Sequence, residues 1–305
     1  TKRMMKVITN ILTRLKSSSL IKNSFWGLSA TFFQSVFLSL FFIILARKYS
    51  TDQFADFLIA ASIYQIVVAF SSMGLGQWFI REYNQQPDRI LFLNKFLKIQ
   101  LYLGGIFYLV NIGLAYILYP EGQIRLLILI LGINILLDNL IYSFRNLNIA
   151  ESFQSKSAQI FFIDGFLRLA ISCVLFVYPI SIVTLTLLLL AVRLITINSF
   201  IRKATTHQVT IKGLLSCKIS INDIKEQILQ NWHFVVIGSL SILFGRISNI
   251  IISKFLLPQD VVNYEIAFKI FTLFLIIPSV VSASLFPLFI KHFNSGEFGK
   301  LRSNY

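Results

Sequence analysis

Eight long apolar stretches run through the chain, and they constrain its fold more than any other feature. Each has about 20 residues, the length that a helix needs to cross the hydrocarbon core of a membrane. Of the 305 residues 56% are hydrophobic and 13% are charged, whereas soluble domains carry about 25% charged residues. We therefore predict an all-α polytopic membrane protein, which excludes soluble enzymes and secreted disulfide scaffolds. The stretches are residues 23–46, 57–80, 99–120, 126–144, 157–179, 180–201, 231–253 and 261–290.

The basic residues between these stretches are distributed unevenly. If the N-terminus is cytoplasmic, the cytoplasmic loops and ends hold 20 Lys and Arg residues and the outer loops hold four. Positive residues accumulate on the cytoplasmic side of membrane proteins, so we predict that both ends of this sequence are cytoplasmic. Basic loops facing anionic lipid also account for most of the net charge of +15. We therefore expect the lipid bilayer, and no nucleic acid, as the partner of these loops.

The order of apolar and polar segments predicts four divisions. Residues 1–22 form a cytoplasmic amphipathic segment, and residues 23–201 form a first lobe of six membrane helices. Residues 202–230 are a basic cytoplasmic linker, in which an interfacial helix is predicted over residues 220–229. Residues 231–305 then supply the first two helices of a second lobe.

A gapless internal repeat supports the two lobes. A shift of 207 residues places residues 24–84 on residues 231–291 and matches identical residues in both spans, among them Phe37 with Phe244 and Ala60 with Ala267. Six spans separate the starts of the two copies, so both enter the membrane in the same direction. Such parallel repeats form lobes related by an axis along the membrane normal. We expect the second lobe to be incomplete in this sequence.

Several short runs resemble the Wzx-type flippases of polysaccharide biosynthesis, which belong to the MATE-like MOP transporter superfamily. The similar runs are LARKYSTDQF at residues 45–54, MGLG at 73–76, IRE at 80–82, KFLLPQD at 254–260 and AFKI at 267–270. The resemblance implies a MATE-like bundle of two parallel six-helix lobes. It also implies a transporter, not an enzyme, that moves an undecaprenyl-pyrophosphate-linked oligosaccharide to the outer leaflet of the bacterial inner membrane. Further partners would be a polysaccharide polymerase and the chain-length machinery.

Charged residues inside the spans are the candidate site residues, because a charge in the hydrocarbon is costly unless it is paired or lines a cavity. Arg246 and Arg193 have no acid within one helical turn, which favours a cavity role. Asp164 and Arg168 are four residues apart and so share a helix face, which suits either a structural pair or a cavity. Lys269 has Glu265 four residues before it and lies near the outer surface. Snorkelling of Lys269 to that surface is the favoured interpretation, and a cavity role is the alternative.

Arginine binds phosphate groups in a bidentate manner and stays charged. We therefore predict that Arg246, Arg193 and Arg168, with Lys269, line an inter-lobe cavity for the anionic headgroup. Asp138 and Asp164 are candidates for binding a coupling proton or Na⁺, although Asp138 is equally suited to pair with an arginine. The three histidines have no metal-ligand spacing, so we expect no metal and no cofactor beyond a coupling ion.

Three other functions remain open. A multidrug exporter on the same architecture would favour an acidic cavity, whereas the spans here contain four cations and three acids. A membrane-embedded polysaccharide polymerase would need a substantial outer loop, and the predicted outer loops are short. A passive structural protein is disfavoured by the isolated intramembrane arginines.

Overall fold

A computed structural model describes residues 19–120, 122–204, 217 and 221–274. All regular secondary structure in these ranges is α-helical, in agreement with the all-α prediction. The helices, numbered here in chain order, are α1 (Ser19–Lys48), α2 (Thr51–Ser71), α3 (Leu75–Tyr83), α4 (Arg89–Leu118), α5 (Gln123–Gly132), α6 (Asn134–Ala150), α7 (Gln154–Val174), α8 (Ile182–Ala204), α9 (Ile221–Phe255) and α10 (Pro258–Phe274).

Six segments of the described chain are helical, long and apolar enough to cross a membrane, which confirms a multi-pass membrane protein. They are Thr51–Ser71, Arg89–Leu118, Gln123–Ala150, Gln154–Val174, Ile182–Lys203 and Asn231–Phe255. Each overlaps one predicted span. The predicted span over residues 23–46 lies within α1, which has 30 residues. The last one, over residues 261–290, extends beyond the described residues, as does the amphipathic segment predicted before residue 19.

The second predicted span is the clearest departure from expectation. Residues 57–80 do not form one helix, because α2 ends at Ser71 and α3 begins at Leu75. The break contains two residues with left-handed backbone, Met73 at φ 47° and Gly74 at φ 61°. A Cβ atom on Gly74 would lie 2.7 Å from the backbone nitrogen of Val235 on α9. Glycine is therefore needed here both for the backbone turn and for the close approach of α9.

Helix α9 also differs from the prediction. The expected interfacial helix over residues 220–229 is not a separate element, because residues 221–255 form one continuous helix of 35 residues. Ile228, in the first part of this helix, packs against a cluster of buried apolar residues that includes Phe79, Phe96 and Phe200. At about 1.5 Å per residue, α9 is longer than the roughly 30 Å hydrocarbon core, so its first turns project beyond the span.

The helix boundaries agree with the 207-residue repeat. Helix α1 ends at Lys48 and α9 ends at Phe255, while α2 begins at Thr51 and α10 begins at Pro258. Both pairs of boundaries are 207 residues apart. The first turns of α2 and α10 are stabilised by different side chains. At the start of α2, Ser50 Oγ accepts from the Gln53 N–H, whereas at the start of α10, Asp260 Oδ2 accepts from the Leu257 N–H. The repeat thus preserves helix positions while the capping side chain changes.

Two apolar clusters divide the bundle along its length. One contains Phe54, Leu127, Leu131, Ile135 and Leu189, and lies toward the end that we predict to be outer. The other lies toward the opposite end and contains Leu75, Phe79, Phe96, Ile141, Ile160 and Ile197. Helices α6, α7 and α8 each pass between the clusters at a charged residue. The core is therefore two apolar layers with a polar layer between them.

By its contacts the chain forms two compact units, residues 1–262 and residues 263–305. The first contains the helices from α1 to α9 and the first turn of α10. The described part of the second is the rest of α10. The lobe and linker boundaries predicted from the sequence stay predictions.

We predict that Gly74→Ala destabilises the protein. A non-glycine residue in left-handed backbone costs about 1–2 kcal/mol, and the new Cβ would press against the backbone of α9. The matched control is Gly105→Ala on α4, where nothing lies within 4 Å of the added Cβ. Thermal unfolding in detergent should show a lower midpoint for Gly74→Ala and an unchanged or higher midpoint for Gly105→Ala, because alanine favours a helix interior. Equal midpoints would contradict the role given to Gly74.

Candidate functional site

Three neighbouring helices carry the charged residues of the polar layer. Helix α6 contributes Asp138, α7 contributes Asp164 and Arg168, and α8 contributes Arg193. These helices pack against one another, and each carries its charge where the two apolar clusters meet. The structure thus brings together four of the six residues that the sequence singled out. We call these four side chains the charge cluster.

The ion pairs connect all four side chains. Arg193 Nε lies 3.1 Å from Asp138 Oδ1, and Arg193 Nη1 lies 3.4 Å from Asp164 Oδ1. Arg168 Nε lies 2.9 Å from Asp164 Oδ2. Arg193 therefore bridges two carboxylates on different helices, and Asp164 is shared by two guanidinium groups.

Two hydroxyl groups complete the surroundings of the carboxylates. Tyr64 on α2 donates a hydrogen bond to Asp138 Oδ2. Thr196, almost one turn after Arg193 on α8, donates to Asp164 Oδ1 at 2.7 Å. Sequence reasoning missed both residues, because a single Tyr or Thr in an apolar span has no charge to draw attention. The one available signal was the three-residue spacing of Arg193 and Thr196, which places them on one helix face.

Burial and charge balance explain why these residues are together. The side chains of Asp138 and Asp164 are each 1% exposed, and those of Arg168 and Arg193 are 14% and 15% exposed. Two carboxylates and two guanidinium groups give no net charge when all are ionised. Removing charges from water is costly unless each is paired and hydrogen-bonded. Arg193 has no acid within one turn of its own helix, but it is paired with acids on two neighbouring helices. Of the two interpretations left open for Asp138, pairing with an arginine is the one that the structure shows.

An uncharged network adjoins the cluster. Asn139, next to Asp138, accepts from Ser71 Oγ at 2.7 Å and donates to the Gln100 carbonyl at 3.2 Å. Gln100 in turn donates to the Ser72 carbonyl at 3.2 Å. That carbonyl lies in the break between α2 and α3, where the helical hydrogen-bond pattern is interrupted. That carbonyl also accepts from the Leu75 N–H, so the polar layer adds a second hydrogen bond to the backbone of the break.

The remaining two candidate residues lie elsewhere. Arg246 is partly buried on α9, outside the helices that carry the charge cluster. Lys269 is partly buried on α10, in the second unit. The roles of all six residues in substrate or ion binding stay predictions.

The geometry allows an exchange of ionic partners. Both arginines keep a small exposed fraction, while the carboxylates that neutralise them are buried. A guanidinium group has several donors in a fixed plane and binds carboxylate and phosphate oxygens with similar geometry. An anion that reached Arg168 or Arg193 would compete with Asp164 or Asp138, and the displaced carboxylate would then need a proton or a cation.

Comparison with known proteins gives one family match. A family model described as polysaccharide biosynthesis protein matches residues 20–293. Among solved structures, the chain is similar to a MOP superfamily transporter from Pyrococcus furiosus, with 13% identity, a TM-score of 0.49 and 74% of this chain covered. The match spans about half, 52%, of that transporter. No match was found among curated proteins. Because the family model covers most of its length, the chain belongs to the polysaccharide biosynthesis protein family.

Proposed function

We propose that this chain is part of a transporter that flips an undecaprenyl-pyrophosphate-linked oligosaccharide from the cytoplasmic to the outer leaflet of a bacterial inner membrane. The observation that carries the proposal is the family match over residues 20–293, together with the six membrane-length apolar helices found among the described residues. The product would serve O-antigen, capsule or exopolysaccharide synthesis. A polymerase and the chain-length machinery would use it next.

The charge cluster suggests how headgroup and coupling ion could be linked. A pyrophosphate would replace Asp138 or Asp164 as partner of Arg193 or Arg168. The released carboxylate would take up H⁺ or Na⁺, because an unpaired carboxylate is very costly in a buried site. Headgroup binding and ion binding would then favour each other. Alternating access by the two lobes would carry the headgroup across while the lipid tail stays in the bilayer.

A multidrug exporter is the second candidate. It would need a net acidic site for hydrophobic cations, whereas the charge cluster contains as many arginines as acids. The arginines keep a small exposed fraction while the acids are buried, which suits an anion that competes with carboxylates better than a cation that competes with arginines. A membrane-embedded polymerase is the third candidate, and it would act after the lipid-linked sugar reaches the outer leaflet.

We predict that Arg193→Ala in the full-length protein traps the lipid-linked oligosaccharide on the cytoplasmic leaflet. Loss of a charge-assisted interaction costs about 1.5–3 kcal/mol, which corresponds to more than about tenfold slower flipping. The measurement is the sidedness of the lipid-linked sugar in cells that carry the variant at normal protein level. Arg202→Ala is the matched control, because Arg202 is exposed near the end of the same helix.

The other outcomes of this experiment separate the candidates. Single repeat units that reach the outer leaflet and stay unpolymerised would indicate the polymerase. Normal sidedness with altered drug sensitivity would indicate the multidrug exporter. Equal sidedness in Arg193→Ala and Arg202→Ala, with no change in drug sensitivity, would remove Arg193 from the transport site.

A second prediction separates ion-pair stability from transport. Asp138→Asn or Arg193→Gln alone should destabilise the protein by about 3–5 kcal/mol, because each leaves an uncompensated buried charge. The double variant keeps the cluster neutral, so its loss should be clearly smaller than the sum of the two single losses. Thermal unfolding in detergent gives the stabilities, and sidedness of the lipid-linked sugar gives transport. A stable double variant that still transports would make this pair purely structural.

The third prediction concerns Arg246 on α9. If this guanidinium group contacts the headgroup, Arg246→Ala should lower surface-polysaccharide output at normal protein level, and Arg246→Lys should retain part of it. Arg47→Ala is the control, because Arg47 is exposed at the end of α1, the helix that corresponds to α9 in the repeat. Unchanged output in Arg246→Ala would exclude Arg246 from the binding site.

A further inference from the structure

Helix α2 is hydrogen-bonded on two opposite sides. On one side, Tyr64 donates to Asp138 of α6. On the other, Ser62 Oγ accepts from Asn249 Nδ2 of α9 at 2.9 Å, and both of these side chains are buried. Residues two positions apart in a helix are separated by about 200° around its axis. Helix α2 therefore lies between the charge cluster and α9.

The same arrangement recurs two turns further along α2. Ser71 Oγ donates to Asn139 Oδ1 of α6 at 2.7 Å, and the Ala69 carbonyl accepts from Ser239 Oγ of α9 at 3.1 Å. Ser71 follows Tyr64 by seven residues and Ala69 follows Ser62 by seven, so each pair lies along one face. One face of α2 is thus joined to α6 at two levels, and the opposite face is joined to α9 at two levels.

The break after α2 allows this helix to move separately from α3. Ser71 is its last residue, and Met73 and Gly74 have left-handed backbone. A few residues at the end of an element are sufficient to absorb a hinge motion. A change in the bonds to α6 can therefore tilt α2 without moving α3 equally.

Helix α9 is also joined to α4 at the end that we predict to be outer. Tyr119, directly after α4, and Ser253 of α9 are joined by a hydrogen bond between their hydroxyl groups. Lys254 donates to the Leu118 carbonyl, and its ammonium lies 3.7 Å from the centre of the Tyr119 ring. We call the contacts of α9 with α2 and α4 the α9 seam. In this structure the seam is closed from Ser239 to Lys254.

We propose that α2 transmits the state of the charge cluster to the α9 seam, with Tyr64 as the positioning residue that joins the two. This inference rests on the proposed function, because it names the helix that would move when the arginines of the charge cluster exchange their ionic partners. A hydrogen bond to an ionised acceptor is roughly twice as strong as one between neutral groups. Neutralising Asp138 therefore weakens its bond to Tyr64, and the balance between the bonds of α2 to α6 and its bonds to α9 shifts toward α9 at this level. A bound ligand shifts an equilibrium between two conformations only if its interaction free energy differs between them. The change in strength of the Tyr64 bond supplies such a difference.

The test measures opening of the seam directly, in the full-length protein in lipid vesicles. Cys173 and Cys217 are first replaced by alanine, and spin labels are then attached at Ile117→Cys and Phe255→Cys. These positions are 78% and 82% exposed near the ends of α4 and α9, so the labels do not disturb packing. Electron paramagnetic resonance gives the distribution of distances between them. The compared variants are Tyr64→Phe and Tyr102→Phe, the second being an exposed tyrosine on α4.

We expect Tyr64→Phe to change the ratio of short to long distances by about threefold, the size expected for one interhelical hydrogen bond in a membrane. Tyr102→Phe should leave the ratio unchanged. Asp138→Asn is made together with Arg193→Gln, so that no buried charge is left unpaired. This pair of changes removes the charge that strengthens the Tyr64 bond, so it should shift the ratio in the same direction as Tyr64→Phe. Combining it with Tyr64→Phe should add little, because both act on one bond.

The outcomes distinguish this inference from the proposed function. Identical distance ratios in Tyr64→Phe and Tyr102→Phe would overturn the role of α2, whatever the sidedness assay shows. Full additivity of Tyr64→Phe with the Asp138→Asn and Arg193→Gln pair would also overturn it. Tyr64→Phe could also shift the distance ratio while leaving the sidedness of the lipid-linked sugar unchanged. That result would support coupling through α2 but would contradict the proposal that this coupling serves flipping.

Discussion

The rest of the bundle depends on accommodating two buried carboxyl groups inside an apolar core. Asp138 and Asp164 are almost completely buried, and an isolated charge in such a place would cost far more than the net stability of a domain. The cost is offset only because Arg193 reaches both carboxylates, Arg168 pairs with one, and Tyr64 and Thr196 supply hydroxyl donors. This requirement brings α2, α6, α7 and α8 to one level of the bundle. The apolar clusters on either side can pack well because the polar groups are confined to the layer between them.

The polar layer also affects the backbone between α2 and α3. The break between α2 and α3 adjoins the uncharged part of this layer, and the Ser72 carbonyl within the break accepts from both the Leu75 N–H and the Gln100 amide. In a membrane, irregular backbone is tolerated where protein groups satisfy it. The polar layer thus stabilises both the buried charges and the backbone at the break between α2 and α3.

The sequence predicts the architecture well where the signal is local. Long apolar stretches identify the membrane helices, and the 207-residue repeat agrees with the helix boundaries at Lys48, Thr51, Phe255 and Pro258. Partners on different helices cannot be recognised in this way. Asp164 and Arg168 are visible as a pair because they are four residues apart, but the partners of Arg193 are 29 and 55 residues away. Gly74 and Gly76 indicate a packing or kink position within residues 57–80. The end of α2 at Ser71 and the identity of the helix that packs against Gly74 depend on tertiary contacts, which the sequence does not reveal.

The position of Tyr64 explains why charge alone is an incomplete guide to the functional residues of such a chain. A charged residue in a membrane span is recognised in the sequence because burying it costs much free energy, so a functional or structural reason is expected. Burying a hydroxyl group costs less, so a Tyr or Thr in a span is easily taken for an ordinary core residue. Yet the hydroxyl determines which neighbouring helix responds when the charge changes its partner. Arg168 and Thr196 bind Asp164 from within α7 and α8, the helices that already carry the cluster. Tyr64 alone joins the cluster to α2, and α2 is joined to α9 on its other face. A substitution that leaves every charge in place can therefore change how the cluster acts on the helix that begins the second copy of the repeat.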